Sequence, residues 1–370
     1  MTSVVVGRIG DLGRSASRAA LWLLRATGRV LVILAITLAL DYALLATVFS
    51  GWKREWADAA SAYTQAYIRT PYDHDLAPNA SSTRVWGTID YPWHTDRYGL
   101  RIGKCAPGEA EKDRPAIFVI GDSFVEPIGS SYEKSFTGLM ACDAARQGKA
   151  VWNLGVASYS PAIYFRKIRA VAHELGIKPV EIYVFLDLSD IYDDANVYRV
   201  GADGVVTSSP FHWYNIGQFL LGNFATFRLT YDLYLHSSLA TVGSLGQDRA
   251  RWTFDPDLMN EWGRRGLEIA GRNLDQIVTM CHDWHCRMTL VVYPWPDNIV
   301  AGDRDSIQVT HWRAWAAARH VRFIDGFAPF FREPSDVAVR KYFIHGDIHF
   351  SERGHRLLYD EVKRATGDDY

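Results

Sequence analysis

Residues 116–124 read AIFVIGDSF, a run of five apolar residues that ends abruptly in Gly121, Asp122 and Ser123. A short apolar run bounded by turn residues is typical of a strand that is buried on both faces of a parallel sheet. Gly, Asp and Ser end strands by ordinary turn chemistry. The same turn would place the Ser123 hydroxyl at the carboxyl end of the strand, where α/β sheets collect ligands. Whether Ser123 is a nucleophile therefore depends on partners elsewhere in the chain.

The pattern of a short apolar strand followed by a helical stretch repeats along the chain. Strands are predicted at 116–120, 151–154, 181–186, 288–293 and 321–324, and helices at 133–147, 161–175, 258–281, 312–319 and 353–366. Alternating strands and helices predict a parallel sheet with helices on both faces. The fold class is therefore α/β, a three-layer α/β/α domain with a five-stranded parallel sheet. Residues 70–104 are predicted to be a loop-dominated lead-in, and residues 200–250 an insertion or lid.

The first 50 residues predict a membrane anchor. Residues 30–49 carry one charge, Asp41, over 20 residues, which at 1.5 Å per residue spans roughly the 30 Å of a bilayer core. Five arginines against one aspartate precede this run: Arg8, Arg14, Arg18, Arg25 and Arg29. The division predicted is a basic cytoplasmic tail (1–29), a transmembrane anchor (30–50) and an extracytoplasmic, periplasmic domain (51–370). A cleaved signal peptide is the rival, but the run is long for one. Asp41 is costly in a span, so it is expected to face a helix partner or the interface.

Composition and cysteines narrow the function classes. The formal net charge of −2 at pH 7 argues against a nucleic-acid footprint. Four cysteines in an oxidising compartment allow two disulfides with three connectivities. A local bridge between Cys281 and Cys286 is favoured over a metal site, because the stretch lacks paired C-x-x-C spacing. No metal or organic cofactor is expected.

A base for Ser123 is expected in another loop at a strand end. After the fifth predicted strand the chain reads HGDIHFSERGH from His345 to His355. Asp347 and His349 are two residues apart, so in an extended loop the carboxylate can reach the imidazole. A serine needs such a base, and the base needs a third group that fixes its tautomer. Asp325 is a reserve for the acid, and His355 is expected to be a loop or surface histidine.

These motifs together resemble the SGNH (GDSL-like) hydrolases, with a flavodoxin-like fold. GDSF at 121–124 is similar to the family's first block, NLG at 153–155 to the second, FLDLSDI at 185–191 to the third, and DIH at 347–349 with Gly354 and His355 to the last. HTDRYGLR at 94–101 is similar to a lead-in of membrane-anchored bacterial members. The resemblance covers residues 70–370 sparsely.

The resemblance implies a role for each matching residue. Ser123 would be the nucleophile, His349 the base and Asp347 the orienting acid. The oxyanion hole would use the N–H groups of Ser123 and Gly155, with Ser189 where the family usually has an Asn. The spacing of Asp347 and His349 also departs from the family, whose acid usually lies three residues before its histidine. Those two departures concern the oxyanion hole and the acid.

The predicted activity is serine-dependent hydrolysis of O-acyl esters, with O-acetyl as the expected acyl group, outside the cytoplasmic membrane. One alternative is a polysaccharide O-acetyltransferase that works with a membrane acyltransferase partner, which the resemblance permits. A second is a catalytically inactive carbohydrate-binding module. A lipase for long acyl chains is a further alternative if residues 211–235 form an apolar lid. The partners expected are an acyl-ester or O-acetylated carbohydrate substrate and a membrane.

Overall fold

A computed structural model describes residues 3–55, 65–208 and 212–367. The chain divides into two compact units. The first consists of Met1–Asp58 with Phe211–Leu233, and the second of Ala59–Pro210 with Tyr234–Tyr370. We call them the helical unit and the sheet unit.

The sheet unit is built on five parallel strands, which confirms the predicted fold class. In chain order they are β5 (Ala116–Ile120), β6 (Ala150–Asn153), β7 (Glu181–Leu186), β10 (Arg287–Val292) and β11 (Arg322–Asp325), and their order in the sheet is β11-β10-β7-β5-β6. All residues of β5, β6 and β7 are buried, as continuous apolar strands between two helical layers should be. The order reverses at β5, so the Gly121–Ser123 turn follows the strand at the switch point.

Helices cover both faces of this sheet. The longer ones are α2 (Phe136–Arg146), α3 (Pro161–Leu175), α10 (Arg264–Trp284), α12 (Ile307–Ala318), α13 (Ser335–Tyr342) and α14 (Glu352–Thr366). Helix α3 packs on α10, whereas α14 packs on α2 and α13. Right-handed crossovers put α2 on one face of the sheet and α3, α10 and α12 on the other, because the chain runs in opposite directions along the sheet after β5 and after β6. The short helices are α4 (Leu188–Tyr192), α7 (Ser238–Gly243), α8 (Asp248–Arg251), α9 (Pro256–Leu258) and α11 (Pro296–Ala301).

The lead-in differs from its loop prediction, because it forms two antiparallel hairpins. The first pairs β1 (Tyr67–Thr70) with β2 (Asp73–Leu76), and the second pairs β3 (Ser81–Trp86) with β4 (Ile89–His94). Cross-strand pairs such as Arg84 with Tyr91 stabilise the second hairpin. Another hairpin, β8 (Tyr198–Val200) with β9 (Val206–Ser208), begins the predicted insertion.

Two disulfides close in the sheet unit, Cys105–Cys142 and Cys281–Cys286. The first ties the residue that follows the lead-in to α2, and the second joins the end of α10 to the segment that enters β10. This connectivity includes the local bridge expected from the sequence.

The helical unit contains α1 (Ser3–Thr47), and the insertion contributes α5 (His212–Asn223) and most of α6 (Ala225–Leu235). Within α1, the 24 residues Leu24–Thr47 are long and apolar enough to cross a membrane, and nearly all of this stretch is exposed. The helix continues through the predicted basic tail. Residues 209–211 of the predicted insertion lie outside the described part of the chain.

Candidate active site

Asp122 fixes the turn that carries Ser123. Its carbonyl oxygen accepts from the N–H groups of Val125 and Glu126, at 3.1 and 2.9 Å, and its side chain accepts from the N–H of Phe124 at 3.0 Å. Gly121 is required by close packing, because a Cβ there would lie 2.4 Å from Val125 Cγ2 and 2.8 Å from the Phe185 carbonyl oxygen. The chain thus turns sharply after β5 and leaves the Ser123 side chain half-buried rather than in the core.

A second loop, between α13 and α14, carries Asp347 and His349. The N–H of Ile344 donates to the carbonyl oxygen of His349 at 2.9 Å, and the N–H of Asp347 donates to that of Ile344 at 3.0 Å. The loop ends where the Ser351 side chain caps α14 by accepting from the N–H of Gly354. These bonds give the loop a defined conformation in which Asp347 and His349 face each other.

The two loops bring Ser123, His349 and Asp347 into one hydrogen-bonded chain. His349 Nε2 lies 2.8 Å from Ser123 Oγ, and His349 Nδ1 lies 2.5 Å from Asp347 Oδ1. The same carboxylate oxygen accepts from the His349 N–H at 2.8 Å. Because an ionised carboxylate can only accept, Nδ1 carries the proton and Nε2 is free to accept from the serine hydroxyl. That is the tautomer a general base requires.

Trp86, at the end of β3, completes the environment of Asp347. Its indole Nε1–H donates to Asp347 Oδ2 at 2.9 Å, and its ring stands edge-on to the His349 ring, with centroids 5.4 Å apart. Burial raises the pKa of Asp347, but the His349 charge and the hydrogen bonds from His349 and Trp86 outweigh it, so the pKa lies below its ordinary value. Asp347 therefore stays ionised and holds the imidazole. No local motif in the sequence marks Trp86, which lies 261 residues before its partner.

The three predicted oxyanion donors are in different situations. In the described part of the chain, the Ser123 N–H has no acceptor. The Gly155 N–H donates to Asn153 Oδ1 at 2.9 Å, and the Ser189 hydroxyl donates to Asp187 Oδ2 at 2.6 Å. Gly155 or Ser189 would have to give up that bond to serve an oxyanion. Their roles stay predictions.

Gly155 is nevertheless placed against the nucleophile turn. A Cβ at this position would lie 2.4 Å from Val125 Cγ1 and 2.8 Å from the Val125 carbonyl carbon. Asn153 reaches the same residue from β6, since its Nδ2 donates to the Val125 carbonyl oxygen at 2.8 Å. The segment after β6 therefore supports the backbone that follows Ser123.

A buried carboxyl group set lies beside the nucleophile turn. Carboxylate oxygens of Asp122, Asp187 and Asp190 lie within 4.8 Å of one another, a spacing that a metal ion can occupy. Burial, followed by mutual repulsion, raises the pKa values of Asp122 and Asp190 well above the ordinary value. Asp187 also accepts from the Trp295 indole at 2.6 Å. Burial and repulsion therefore favour the neutral forms of Asp122 and Asp190.

Glu126 is a second residue that sequence reasoning missed. It is fully buried, and it accepts from Arg84 Nη1 at 3.1 Å, from the Trp93 indole at 3.0 Å and from the Ala157 N–H at 2.7 Å. One carboxylate thus joins the β3–β4 hairpin and the segment after β6 to the turn that carries Ser123. Removing one partner of a buried ion pair strongly destabilises the folded state. Glu126 therefore fixes the relative position of these three segments.

The remaining histidine and acid candidates lie elsewhere. His355 is buried on α14, not on the surface as expected, and burial together with the His349 charge lowers its pKa to about 3. Asp325 accepts from Arg313 at 2.7 Å and from the Phe327 N–H at 3.0 Å, whereas Asp347 is the acid that contacts His349.

No protein-family model and no curated protein sequence matches the chain. Solved structures that it is similar to include TesA, with 13% identity and a TM-score of 0.39 over 68% of this chain and 98% of that one. Another is a protein described as a lipolytic protein of the G-D-S-L family from Desulfitobacterium hafniense, with 14% identity and a TM-score of 0.39 over 68% and 99% of the two chains. A third is a catalytic mutant of Axe2, an acetylxylan esterase from Geobacillus stearothermophilus, with 14% identity and a TM-score of 0.39 over 68% and 94%.

Proposed function

We propose that this chain is a serine ester hydrolase of the SGNH (GDSL-like) type that acts on O-acyl esters. The observation that carries the proposal is the hydrogen-bonded chain from Ser123 Oγ through His349 to Asp347, with contacts of 2.8 and 2.5 Å. A nucleophile within hydrogen-bond distance of a base, which is itself oriented by a third group, is the geometry of acyl transfer through a covalent intermediate.

In the first half-reaction, Ser123 Oγ attacks the ester carbonyl carbon while its proton moves to His349 Nε2. Asp347, held ionised by its surroundings, stabilises the imidazolium that forms. The tetrahedral intermediate collapses, its bond to the alkoxy oxygen breaks, and His349 returns the proton to the leaving alcohol. The product is an acyl-Ser123 ester and a free alcohol.

In the second half-reaction, water attacks the acyl-serine. His349 removes a proton from the water, the bond between the acyl carbon and Ser123 Oγ breaks, and His349 returns the proton to Oγ. The enzyme is thereby regenerated and a carboxylic acid leaves. Within the described residues the Ser123 N–H has no acceptor, which supports its proposed role as an oxyanion donor. Transfer to a carbohydrate hydroxyl would use the same steps with the acceptor in place of water.

We also propose that the sheet unit works outside the cytoplasmic membrane, tethered by α1. Two disulfides in the sheet unit support an oxidising compartment. The length and exposure of Leu24–Thr47 support a membrane span. O-acetylated carbohydrates are then the substrates to test first.

The test is p-nitrophenyl acetate turnover by the full-length protein in detergent, with Ser123→Ala as the variant and Ser131→Ala as the control. Ser131 is half-buried, near the nucleophile turn, and its side chain makes no capping bond. We expect turnover in wild type and the control, and a loss of at least about 1,000-fold in Ser123→Ala. Turnover that persists in Ser123→Ala would refute the proposal.

The same assay with an added polysaccharide separates hydrolysis from transfer. Free acetate as the sole product supports the hydrolase. Acetyl groups that appear on the polysaccharide, and depend on Ser123, would identify an O-acetyltransferase. No turnover in any variant, with an intact fold, would favour the carbohydrate-binding alternative.

A further inference from the structure

We propose that helices α5 and α6 insert into the membrane beside α1, so that the helical unit contacts lipid with three helices rather than one. We call residues 212–233 the α5–α6 segment, and its partner is the outer part of the lipid bilayer. This inference rests on the proposed membrane location of α1. It assigns the insertion to the membrane, whereas a lid would belong to the substrate cleft.

The first observation is the apolar surface of the α5–α6 segment. Large apolar side chains on both helices are exposed: Ile216, Phe219, Phe227, Leu229 and Leu233, which are 41 to 63% exposed. The charged residues between 212 and 233 are Arg228 and Asp232, which pair with each other at 3.5 Å. An exposed apolar surface of this kind marks a protein or membrane contact.

The second observation is an aromatic cluster where the two helices meet. The Phe224 ring lies 6.2 Å from the Phe219 ring and 6.0 Å from the Phe227 ring, measured between centroids. Helix α5 has 12 residues, about 18 Å long, which is too short to span a bilayer. Apolar helices of this length are typical of interfacial or re-entrant segments.

The third observation fixes the depth of the α5–α6 segment relative to α1. Asp41, the one charge in the predicted span, accepts from the Thr226 N–H at 3.0 Å and from the Thr226 hydroxyl at 2.9 Å. Asp41 and Leu45 are buried while their neighbours along α1 are exposed. The carboxylate therefore caps the start of α6, where the helix dipole favours an anion, and the expected partner for Asp41 lies within this same chain.

The depth of Thr226 in the bilayer agrees with an interfacial position for the α5–α6 segment. Asp41 precedes the last residue of α1, Thr47, by about 9 Å along the axis. Just beyond α1, the Phe49 and Trp52 rings stack with centroids 4.6 Å apart. Lys53 Nζ lies 4.4 Å from the Tyr42 ring centroid. Aromatic and basic residues of this kind mark the membrane–water boundary. Thr226 therefore lies within the 5–10 Å or so at which interfacial helices insert.

The contact with α6 also explains why Asp41 is tolerated within the span. A carboxylate in a span is expensive unless it is paired or hydrogen-bonded, and the start of an inserted helix supplies two donors at the required depth. The chain passes between the two units three times, at 58/59, 210/211 and 233/234. The sheet unit would thus be tied to the membrane by the α5–α6 segment as well as by α1.

The test is spin-label accessibility in the full-length protein reconstituted in vesicles of phosphatidylcholine and phosphatidylglycerol. All four native cysteines are in disulfides, so a single new cysteine is the labelling site. Phe219→Cys and Leu229→Cys probe the α5–α6 segment, and Ile33→Cys probes the middle of the span. Val300→Cys is a control at an exposed apolar residue of the sheet unit. Collision with oxygen reports lipid, and collision with a water-soluble nickel chelate reports water.

We expect labels at 219 and 229 to be oxygen-accessible, nickel-protected and about 5–10 Å deep, with the label at 33 deeper and that at 300 in water. Labels at 219 and 229 that match the control at 300 overturn the inference while α1 still spans. Protection of the labels from both reagents would mean that protein covers the α5–α6 segment, which also overturns the inference. A water-exposed label at 33 would refute the span itself, and ester turnover by the same samples separates that failure from failure of the proposed chemistry.

A second comparison tests the role of Asp41. In Asp41→Leu the label at 229 should become shallower and more mobile, because the cap on α6 is lost. Asp41→Asn retains an acceptor for Thr226 and should keep the original depth. Equal depth of the label at 229 in both variants would show that the contact between Asp41 and Thr226 does not hold the α5–α6 segment in place.

Discussion

Removing the indole N–H of Trp86 is expected to slow catalysis without disturbing the hairpin that carries it. In Trp86→Phe the hydrogen bond to Asp347 Oδ2, at 2.9 Å, is lost, while an aromatic ring remains to pack edge-on against His349. Asp347 then loses a donor that favours its ionised form. The imidazolium of the transition state is consequently less well stabilised.

The magnitude follows from the bond that is lost. A hydrogen bond to a charged group contributes about 1.5–3 kcal/mol, and about 1.4 kcal/mol corresponds to a tenfold change in rate. Full loss would lower kcat by about 10- to 150-fold. Asp347 keeps the bonds from His349 Nδ1 and from the His349 backbone, so we expect the lower end, about tenfold.

The assay is p-nitrophenyl acetate turnover in a double-mutant cycle with Asp347→Asn. If Trp86 acts through Asp347, Trp86→Phe should have little further effect in the Asp347→Asn background. The control is Val85→Ala, an exposed neighbour on the same strand, which should retain wild-type kcat. A Trp86→Phe rate within twofold of wild type, or additive losses in the cycle, would refute the reasoning.

Three further changes test the packing around the site. Gly155→Ala should lower activity at least tenfold and destabilise the fold by about 1–3 kcal/mol, because its Cβ overlaps the nucleophile turn; Gly271→Ala, where a Cβ meets ordinary contacts, should be tolerated. His355→Leu should remove part of the acid sensitivity of unfolding. The folded pKa of His355 is depressed to about 3, so wild type should lose up to about 1.4 kcal/mol per pH unit as pH falls below about 6.5, relative to this variant; parallel unfolding curves from pH 7 to 4 would contradict this. Replacing Cys105 and Cys142 by Ser should lower the free energy of unfolding by about 4 kcal/mol, since their bridge closes a loop with a sequence separation of 37; chemical denaturation measures it, and an unchanged midpoint would contradict it.

The sheet could be predicted closely because four of its five strands, all but β11, are largely buried. β5 and β7 have the predicted bounds, and the other three strands are shifted by one residue. A continuous apolar run between turn residues identifies such strands without tertiary information. The β3–β4 hairpin was missed because its side chains are mostly polar or half-exposed, and its stability comes from cross-strand pairs and the buried Glu126.

In the candidate site, too, residues in local motifs could be predicted from the sequence, whereas residues that depend on long-range contacts could not. Ser123, Asp347 and His349 lie in short motifs at loop positions, so their proximity could be expected, and the structure brings them together; their catalytic roles stay predictions. Trp86 and Glu126 depend on contacts between segments far apart in sequence, and no local pattern indicates them. The hydrogen bonds of Gly155 and Ser189 are likewise set by neighbouring side chains that a motif does not specify.

The measurement that tests the central claim most directly is labelling of the full-length protein with a fluorophosphonate, followed by intact mass and peptide mapping. The arrangement of Ser123, His349 and Asp347 predicts one adduct on Ser123, none in Ser123→Ala, and a labelling rate at least about 100-fold lower in His349→Ala. An adduct elsewhere, or labelling of Ser123 at the wild-type rate in His349→Ala, would contradict the proposed serine mechanism.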